Sequence, residues 1–122
     1  MIELTLNQLL KEKTAENPKQ EFMIYADRNL RFTYEEFNNR VDDLACGLYS
    51  LGVKKGDNMA LLSEGRNLWV IGELSMFYAG ATNVPLSIKL EESNDLLFRL
   101  EHAQVQYIMV SGQQLKKIRL II

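Results

Sequence analysis

The chain is poor in the residues that usually mark a chemical site. Its single cysteine, Cys46, cannot form an internal disulfide and excludes a multi-cysteine metal site. Its single histidine, His102, excludes a histidine-based metal cluster. No two of its seven glycines are separated by one residue, so there is no G-x-G-x-x-G fingerprint, and no G-x-x-x-x-G-K-[ST] loop is present. Neither charge sign dominates: 14 Lys plus Arg stand against 16 Asp plus Glu, interspersed along the chain. That leaves no electrostatic footprint for nucleic acid and no charged tail. The longest uncharged stretch near the middle, Leu74 to Ile88, is too short to span a bilayer and is interrupted by Gly80, Asn83 and Pro85. The start, Met1-Ile2-Glu3-Leu4, is neither basic nor followed by an apolar core, which predicts no secretion signal. A soluble cytoplasmic protein without a transmembrane segment is the expectation.

What is present is regular periodicity in a chain of 122 residues, 47% of them hydrophobic, which suits one domain over 1–122. Leu4 to Asn17 reads as a helix. Thr5 and Gln8 form a capping-box pair, Leu6, Leu9 and Leu10 make an apolar stripe, and Asn17-Pro18 stops it. Glu21–Tyr25 and Leu30–Thr33 read as a hairpin about the turn 26–29. Thr33 and Glu36 open a second helix from Tyr34 to Leu51. Phe37, Val41, Leu44, Ala45, Leu48 and Leu51 share its apolar side, and Gly52 closes it as a left-handed cap. The remainder alternates: strand Asn58–Ser63, helix Asn67–Ala79, strand Thr82–Leu86, helix Ser93–Ala103, strand Val105–Val110 and the start of a further helix over Gln113–Arg119. Such alternation predicts right-handed βαβ units. The fold class is therefore α/β, a three-layer Rossmann-like domain with a mostly parallel sheet plus an N-terminal helix and β-hairpin.

The helix from Leu68 to Tyr78 has only Glu73 and Ser75 as polar interior positions, and a helix apolar nearly all round is buried on more than one side. Little else in the chain is expected to cover its second face. A missing partner is therefore expected there, either more of the same chain or another copy in a homo-oligomer.

No side chain completes a catalytic arrangement. His102 has Glu101 beside it in sequence and Asp95 seven residues back, neither placed to orient it as a base; near a helix end it suits the negative pole of the dipole. Asp42 and Asp43 near Cys46 would raise a thiol pKa, against a reactive thiolate. The adjacent pairs Glu35-Glu36, Asp42-Asp43 and Glu91-Glu92 splay apart on a helix and read as solvated surface. Trp69 reads as core or interface packing, Lys54-Lys55 as a solvated turn, and Gly52, Gly80 and Gly112 as caps and turns. Catalytic, cofactor-binding and metal residues are accordingly none in this chain.

Two stretches go further. Phe32-Thr33-Tyr34-Glu35-Glu36-Phe37 is followed by Ala45-Cys46-Gly47-Leu48 and Leu51-Gly52-Val53-Lys54-Lys55-Gly56-Asp57. Leu62-Ser63-Glu64-Gly65-Arg66-Asn67-Leu68-Trp69 is followed by Phe77-Tyr78-Ala79-Gly80-Ala81-Thr82-Asn83-Val84-Pro85-Leu86. In order and spacing these resemble the opening of the adenylate-forming (AMP-binding) acyl-CoA synthetases, over about Thr5 to Gln114. The Ser-Glu-x-Arg-x-x-Trp form is most similar to the long-chain fatty acid branch, with Gly65 where that motif has Asn and Leu68 where an acidic residue is usual.

The resemblance implies an ATP-dependent ligase that adenylates a fatty acid and passes the acyl group to CoA, using Mg²⁺. It also implies that the phosphate loop, the metal and ribose residues and the mobile lysine of such enzymes lie outside these residues. The chain alone is then expected to bind none of ATP, Mg²⁺ or CoA and to be inactive. Three alternatives remain: a stand-alone dimerising interaction module, a fragment of an amino-acid-adenylating domain, and a small nucleotide-binding doubly wound domain, which the absent glycine loop argues against.

Overall fold

The computed structural model describes residues 5–25, 30–65 and 67–122, with all side chains except those of Tyr25 and Asn67. The start of the first predicted helix at Leu4, the hairpin turn at 26–29 and Arg66 of the Ser-Glu motif lie outside the described residues.

Helix α1 (Leu6–Glu16) begins where the capping box predicts. Gln8 N–H donates to Thr5 Oγ1 at 3.1 Å, and Thr5 N–H donates to Gln8 Oε1 at 2.9 Å. Strands β1 (Glu21–Tyr25) and β2 (Leu30–Thr33) pair antiparallel, Tyr25 opposite Leu30. Helix α2 (Tyr34–Ser50) repeats the device, with Glu36 N–H on Thr33 Oγ1 and Thr33 N–H on Glu36 Oε1, both at 3.1 Å. Each box satisfies two N–H groups that a helix start otherwise leaves without partners. Gly52 ends α2 at φ +103°, and Val53 N–H donates back to Leu48 O. Only glycine takes that left-handed conformation without cost.

Beyond it come β3 (Asn58–Leu62), α3 (Asn67–Tyr78), β4 (Thr82–Pro85), α4 (Ser93–His102), β5 (Tyr107–Val110) and α5 (Leu115–Arg119). The three strands form a parallel sheet in the order β4-β3-β5, Ala60 lying opposite Val84 on one side and Ile108 on the other. Pro85 sits on an edge strand, where a missing N–H is tolerated.

Strand alternation sorts the core into the predicted three layers. Met59 and Leu61 of β3 point to α2 and α3, where Leu48, Val53, Met76 and Ala81 bury them. Ala60 and Leu62 point to the opposite layer, against Leu96 and Leu100 of α4 and Ile118 of α5. A second cluster on the α2–α3 side joins Leu10, Phe32, Phe37, Val41 and Ile71, with the Phe22 ring edge-on to Phe37 at 4.7 Å. Burial of side chains such as Phe37 and Met76, both at 0% exposure, stabilises by about 1.5–3 kcal/mol each.

Several expectations need correction. The second face of α3 is covered by this chain itself. Ile71, Val70, Leu74 and Tyr78 pack with α1 and α2, while Met76 and Trp69 pack with the sheet, leaving Leu68 as the one large exposed side chain of the helix among the described residues. The apolar circumference of α3 thus reflects its place between two helices and a sheet. Leu51 does not join the apolar side of α2; it is 75% exposed because the chain has left the helix to turn at Gly52. Strand β5 begins at Tyr107 and not Val105, because Val105 N–H bonds Leu100 O in the turn that closes α4, with Gln104 at φ +52°. Helix α5 begins at Leu115 because Gln114 N–H still bonds Ser111 O in the preceding turn. Helix α3 ends at Tyr78, one residue before the predicted Ala79.

No helix among the described residues is long and apolar enough to cross a membrane.

Candidate functional site at the carboxyl ends of the sheet

The strand order locates the site. From β3 the chain crosses through α3 to β4 on one side, then through α4 to β5 on the other. At the carboxyl ends of β3 and β5 the chain therefore departs in opposite directions. After β3 it enters α3 in one layer, and after β5 it enters α5 in the other. In open α/β sheets such a switch point leaves a crevice where ligands bind.

A crevice of about 360 Å³ opens there. Leu61 and Met109 form its floor, Leu44, Trp69 and Ile71 its helical wall, and Ser63, Ser111 and Gly112 its polar rim. Across the mouth Ser111 Oγ lies 2.6 Å from Glu64 Oε2 and 3.1 Å from Oε1, so its one proton is shared toward that carboxylate. Ser111 N–H donates to Leu62 O, which ties the loop after β5 to the end of β3, and Ser63 Oγ donates to the neighbouring Glu64 O. Met109 packs over Gly72, where a Cβ would stand 2.7 Å from the flexible thioether sulfur.

The motif residues Ser63, Glu64 and Trp69 are thus brought together, and Ser111 joins them from 47 positions beyond Glu64. The other singled-out residues lie elsewhere. His102 stacks on Phe98 at 5.6 Å in the last turn of α4, where a histidine complements the dipole. Cys46 is exposed on α2 and, with Lys54, Lys55 and Asp42, borders a different, open groove. Three displaced pKa values also fall outside the crevice. Burial, with the nearby Asp42 charge, pushes the Tyr78 phenol up to about 12; its hydroxyl donates to Asn38 Oδ1 at 2.7 Å. The Thr33 cap hydrogen bonds lower Glu36, and the hydrogen-bonded Glu35 carboxylate raises Lys19. Sequence reasoning missed the crevice because it weighed residues singly. The usable signal was positional: in a parallel sheet, the residues just after two strands meet at one end.

The profile of the family described as "AMP-binding enzyme" matches residues 10–121. The chain belongs to the AMP-binding enzyme family. Among its relatives, it is 34% identical over 92 residues to 3-[(3aS,4S,7aS)-7a-methyl-1,5-dioxo-octahydro-1H-inden-4-yl]propanoyl:CoA ligase of Rhodococcus jostii, covering 75% of this chain and 18% of that protein. It is 28% identical over 112 residues to the putative acyl-CoA synthetase YngI of Bacillus subtilis, covering 91% of this chain and 20% of that one. Its fold matches the crystal structure of the N-terminal domain of FACL13 from Mycobacterium tuberculosis at a TM-score of 0.91 and 21% identity, over 98% of this chain and 30% of that chain. The chain spans about a fifth of the length of these curated relatives. The α/β architecture with its parallel three-stranded sheet is the N-terminal fold of this family.

A nucleoside triphosphate with Mg²⁺ needs cations or an amide cradle for its phosphates and carboxylates for the metal. The crevice does not fit that group. No lysine or arginine lines it among the described residues, its walls are apolar, and the Glu64 carboxylate beside it is engaged by Ser111.

Proposed function

We propose that this chain forms the N-terminal layer of an ATP-dependent, AMP-forming acid–CoA ligase acting in the cytoplasm on a long-chain fatty acid, with Mg²⁺ and CoA as the further requirements of the reaction. The observation that carries the reading is the family match over residues 10–121, in which acid–CoA ligases stand among the relatives. The fatty acid is supported by the Ser63-Glu64…Trp69 form of the motif and by the fold's likeness to a Mycobacterium tuberculosis fatty acyl CoA synthetase, at a TM-score of 0.88. In this reading the chain is scaffold. Its capping boxes and glycine turns set the sheet, and the groups that bind nucleotide and metal come from other parts of the ligase. The 122-residue chain alone is inactive.

A second reading has a specific observation behind it. Surfactin synthase subunit 2 of Bacillus subtilis is 28% identical over 109 residues, which would make this the opening of an amino-acid-adenylating domain. Thioester formation separates the two. The full product of the reading frame that carries this sequence is incubated with ATP, Mg²⁺ and CoA, and loss of free CoA thiol is followed across fatty acids of increasing length and across amino acids. Thiol loss that rises with acyl length supports the ligase. No loss with any fatty acid, together with amino-acid-dependent pyrophosphate release, overturns it.

A further inference from the structure

We propose that the groove bounded by α1, the end of α2 and the turn before β3 binds a small anion built of linked phosphates. It lies at the amino end of β3, away from the crevice, and the inference stands apart from the ligase reading. The groove has a volume of about 560 Å³, within the roughly 300–1,000 Å³ of small-molecule sites. Lys11 comes to it from α1 and Lys54 and Lys55 from the turn, against Asp42 as the one lining carboxylate among the described residues. The chain carries more acidic than basic residues, yet none of these three lysines forms an ion pair among the described residues. Asp42 is engaged by Asn38, whose Nδ2 donates to Asp42 Oδ2 at 3.3 Å. Unpaired charge of one sign on a concave surface focuses the field and concentrates counter-ions there.

The cations are held in place. Lys11 Nζ sits 5.0 Å from the centroid of the Tyr78 ring, and the Tyr78 hydroxyl is fixed on Asn38 Oδ1. The backbone of the lysine turn is pinned twice: Lys54 N–H donates to Asp57 Oδ2 at 2.8 Å, and Gly56 N–H donates to Gly80 O at 2.9 Å. Such pre-organisation reduces the ordering that a ligand must impose. The class of anion follows from the kind and number of the cations. Ammonium groups are point charges that suit phosphate, whereas a planar carboxylate is met best by the arginine fork. No arginine lines the groove among the described residues. Three lysines from two separate segments match an anion with several charged groups along its length. Such an anion occurs as a free oligophosphate or as the phosphates of a nucleotide, whose base would stack on the exposed Tyr49 ring at the groove.

Cys46, the only cysteine of the chain, is exposed and lines the groove, so its alkylation rate reports occupancy. The 122-residue chain is treated with N-ethylmaleimide, a neutral reagent, without divalent metal, and the modified fraction is read by mass. The probes are tripolyphosphate, orthophosphate and guanosine triphosphate, a nucleotide that the proposed adenylation does not use, each compared with sodium chloride at matched ionic strength. The expected result is saturable protection by tripolyphosphate, with orthophosphate needing at least about tenfold more. Guanosine triphosphate acting at lower concentration than tripolyphosphate identifies a nucleotide as the source; action at equal or higher concentration identifies the free oligophosphate. The double variant Lys54→Gln, Lys55→Gln should raise the half-protecting concentration at least about tenfold, because each loses a charge-assisted contact. Lys116→Gln, an exposed lysine on α5 in the opposite layer, should leave it unchanged. If circular dichroism shows the double variant misfolded, Lys11→Gln replaces it, with a rise of about threefold or more expected. Protection should also weaken between about 0.01 and 0.1 M salt, as the screening length falls from about 30 to about 10 Å.

Protection by tripolyphosphate no greater than by sodium chloride at the same ionic strength overturns the site. So does protection that the groove variant leaves unchanged, or that Lys116→Gln weakens as much. Orthophosphate acting at the same concentrations as tripolyphosphate overturns the assignment to linked phosphates.

Discussion

Replacing glycine by alanine at two positions should change stability in opposite directions, and the structure gives the reason for each sign. Gly80 follows α3 at φ +85°, and its carbonyl accepts the Gly56 N–H at 2.9 Å. A Cβ built there would lie 3.0 Å from Lys55 Cα and 3.1 Å from Lys55 Cβ, the body of the neighbouring turn and not a flexible tip. Holding an L-residue in the left-handed region costs about 1–2 kcal/mol. The close approach to Lys55 must then be relieved by moving one of the two loops that open β3 and β4, so a total of about 2–3 kcal/mol is expected for Gly80→Ala. Gly47 lies within α2, exposed, with nothing within 4 Å of a Cβ. There alanine removes only the entropic penalty of a helical glycine, a gain of about 0.5–1 kcal/mol. Urea unfolding followed by helix ellipticity measures both. With a slope of about 1–3 kcal/mol per molar urea, Gly80→Ala should lower the midpoint by about 1 M or more, and Gly47→Ala should raise it by a few tenths. A neutral Gly80→Ala, or a Gly47→Ala that destabilises as much, would refute the argument that these two turns meet as described.

Four further outcomes follow from the α2 cap, the core and the half-buried phenol. Thr33→Ala removes one half of the capping box of α2 and should cost about 1 kcal/mol in the same urea assay, whereas Thr33→Ser should cost little. The cap also lowers the Glu36 pKa, so its contribution is present above the ordinary value of 4.5 and is lost as pH falls through the folded value. Acid unfolding of Glu36→Gln should accordingly be less steep than that of the parent chain, and parallel curves would contradict the cap's electrostatic part. Phe37→Ala empties a fully buried site facing Phe22 and should destabilise by about 3–5 kcal/mol, enough for the near-ultraviolet signal to reveal. Tyr78, raised to about 12, retains its proton where an unfolded tyrosine loses it. Its share of stability is therefore full below about pH 10 and disappears as pH climbs toward 12. Phenolate absorbance should show one tyrosine ionising late in the parent chain and none doing so in Tyr78→Phe.

Local signals carried most of the fold. Thr5 with Gln8 and Thr33 with Glu36 name two helix starts to the residue, because a capping box is a contact between neighbours in sequence. Gly52, Gly56 and Gly80 mark turns for an equally local reason, a positive φ. Layering was legible too, since alternate residues of β3 face opposite sides. What could not be read was pairing at a distance. The order β4-β3-β5 depends on which side each crossover returns, and without that order nothing joins Glu64 to Ser111. The same limit explains the misjudged α3. Its apolar circumference is visible in the residues, but the helices that cover it, α1 and α2, are found only once the chain has folded back. The boundary errors at Val105 and Gln113 have a smaller cause: the backbone turns closed by Leu100 O and Ser111 O each delay the next element by two residues.

Acid-dependent exchange between ATP and labelled pyrophosphate tests the central claim most directly, since it reports adenylation before any CoA is added. The full product of the reading frame should catalyse exchange with long-chain fatty acids, and the purified 122-residue chain should show none with any acid. Exchange supported by amino acids and by no fatty acid, or measurable exchange from the 122-residue chain alone, would contradict the account.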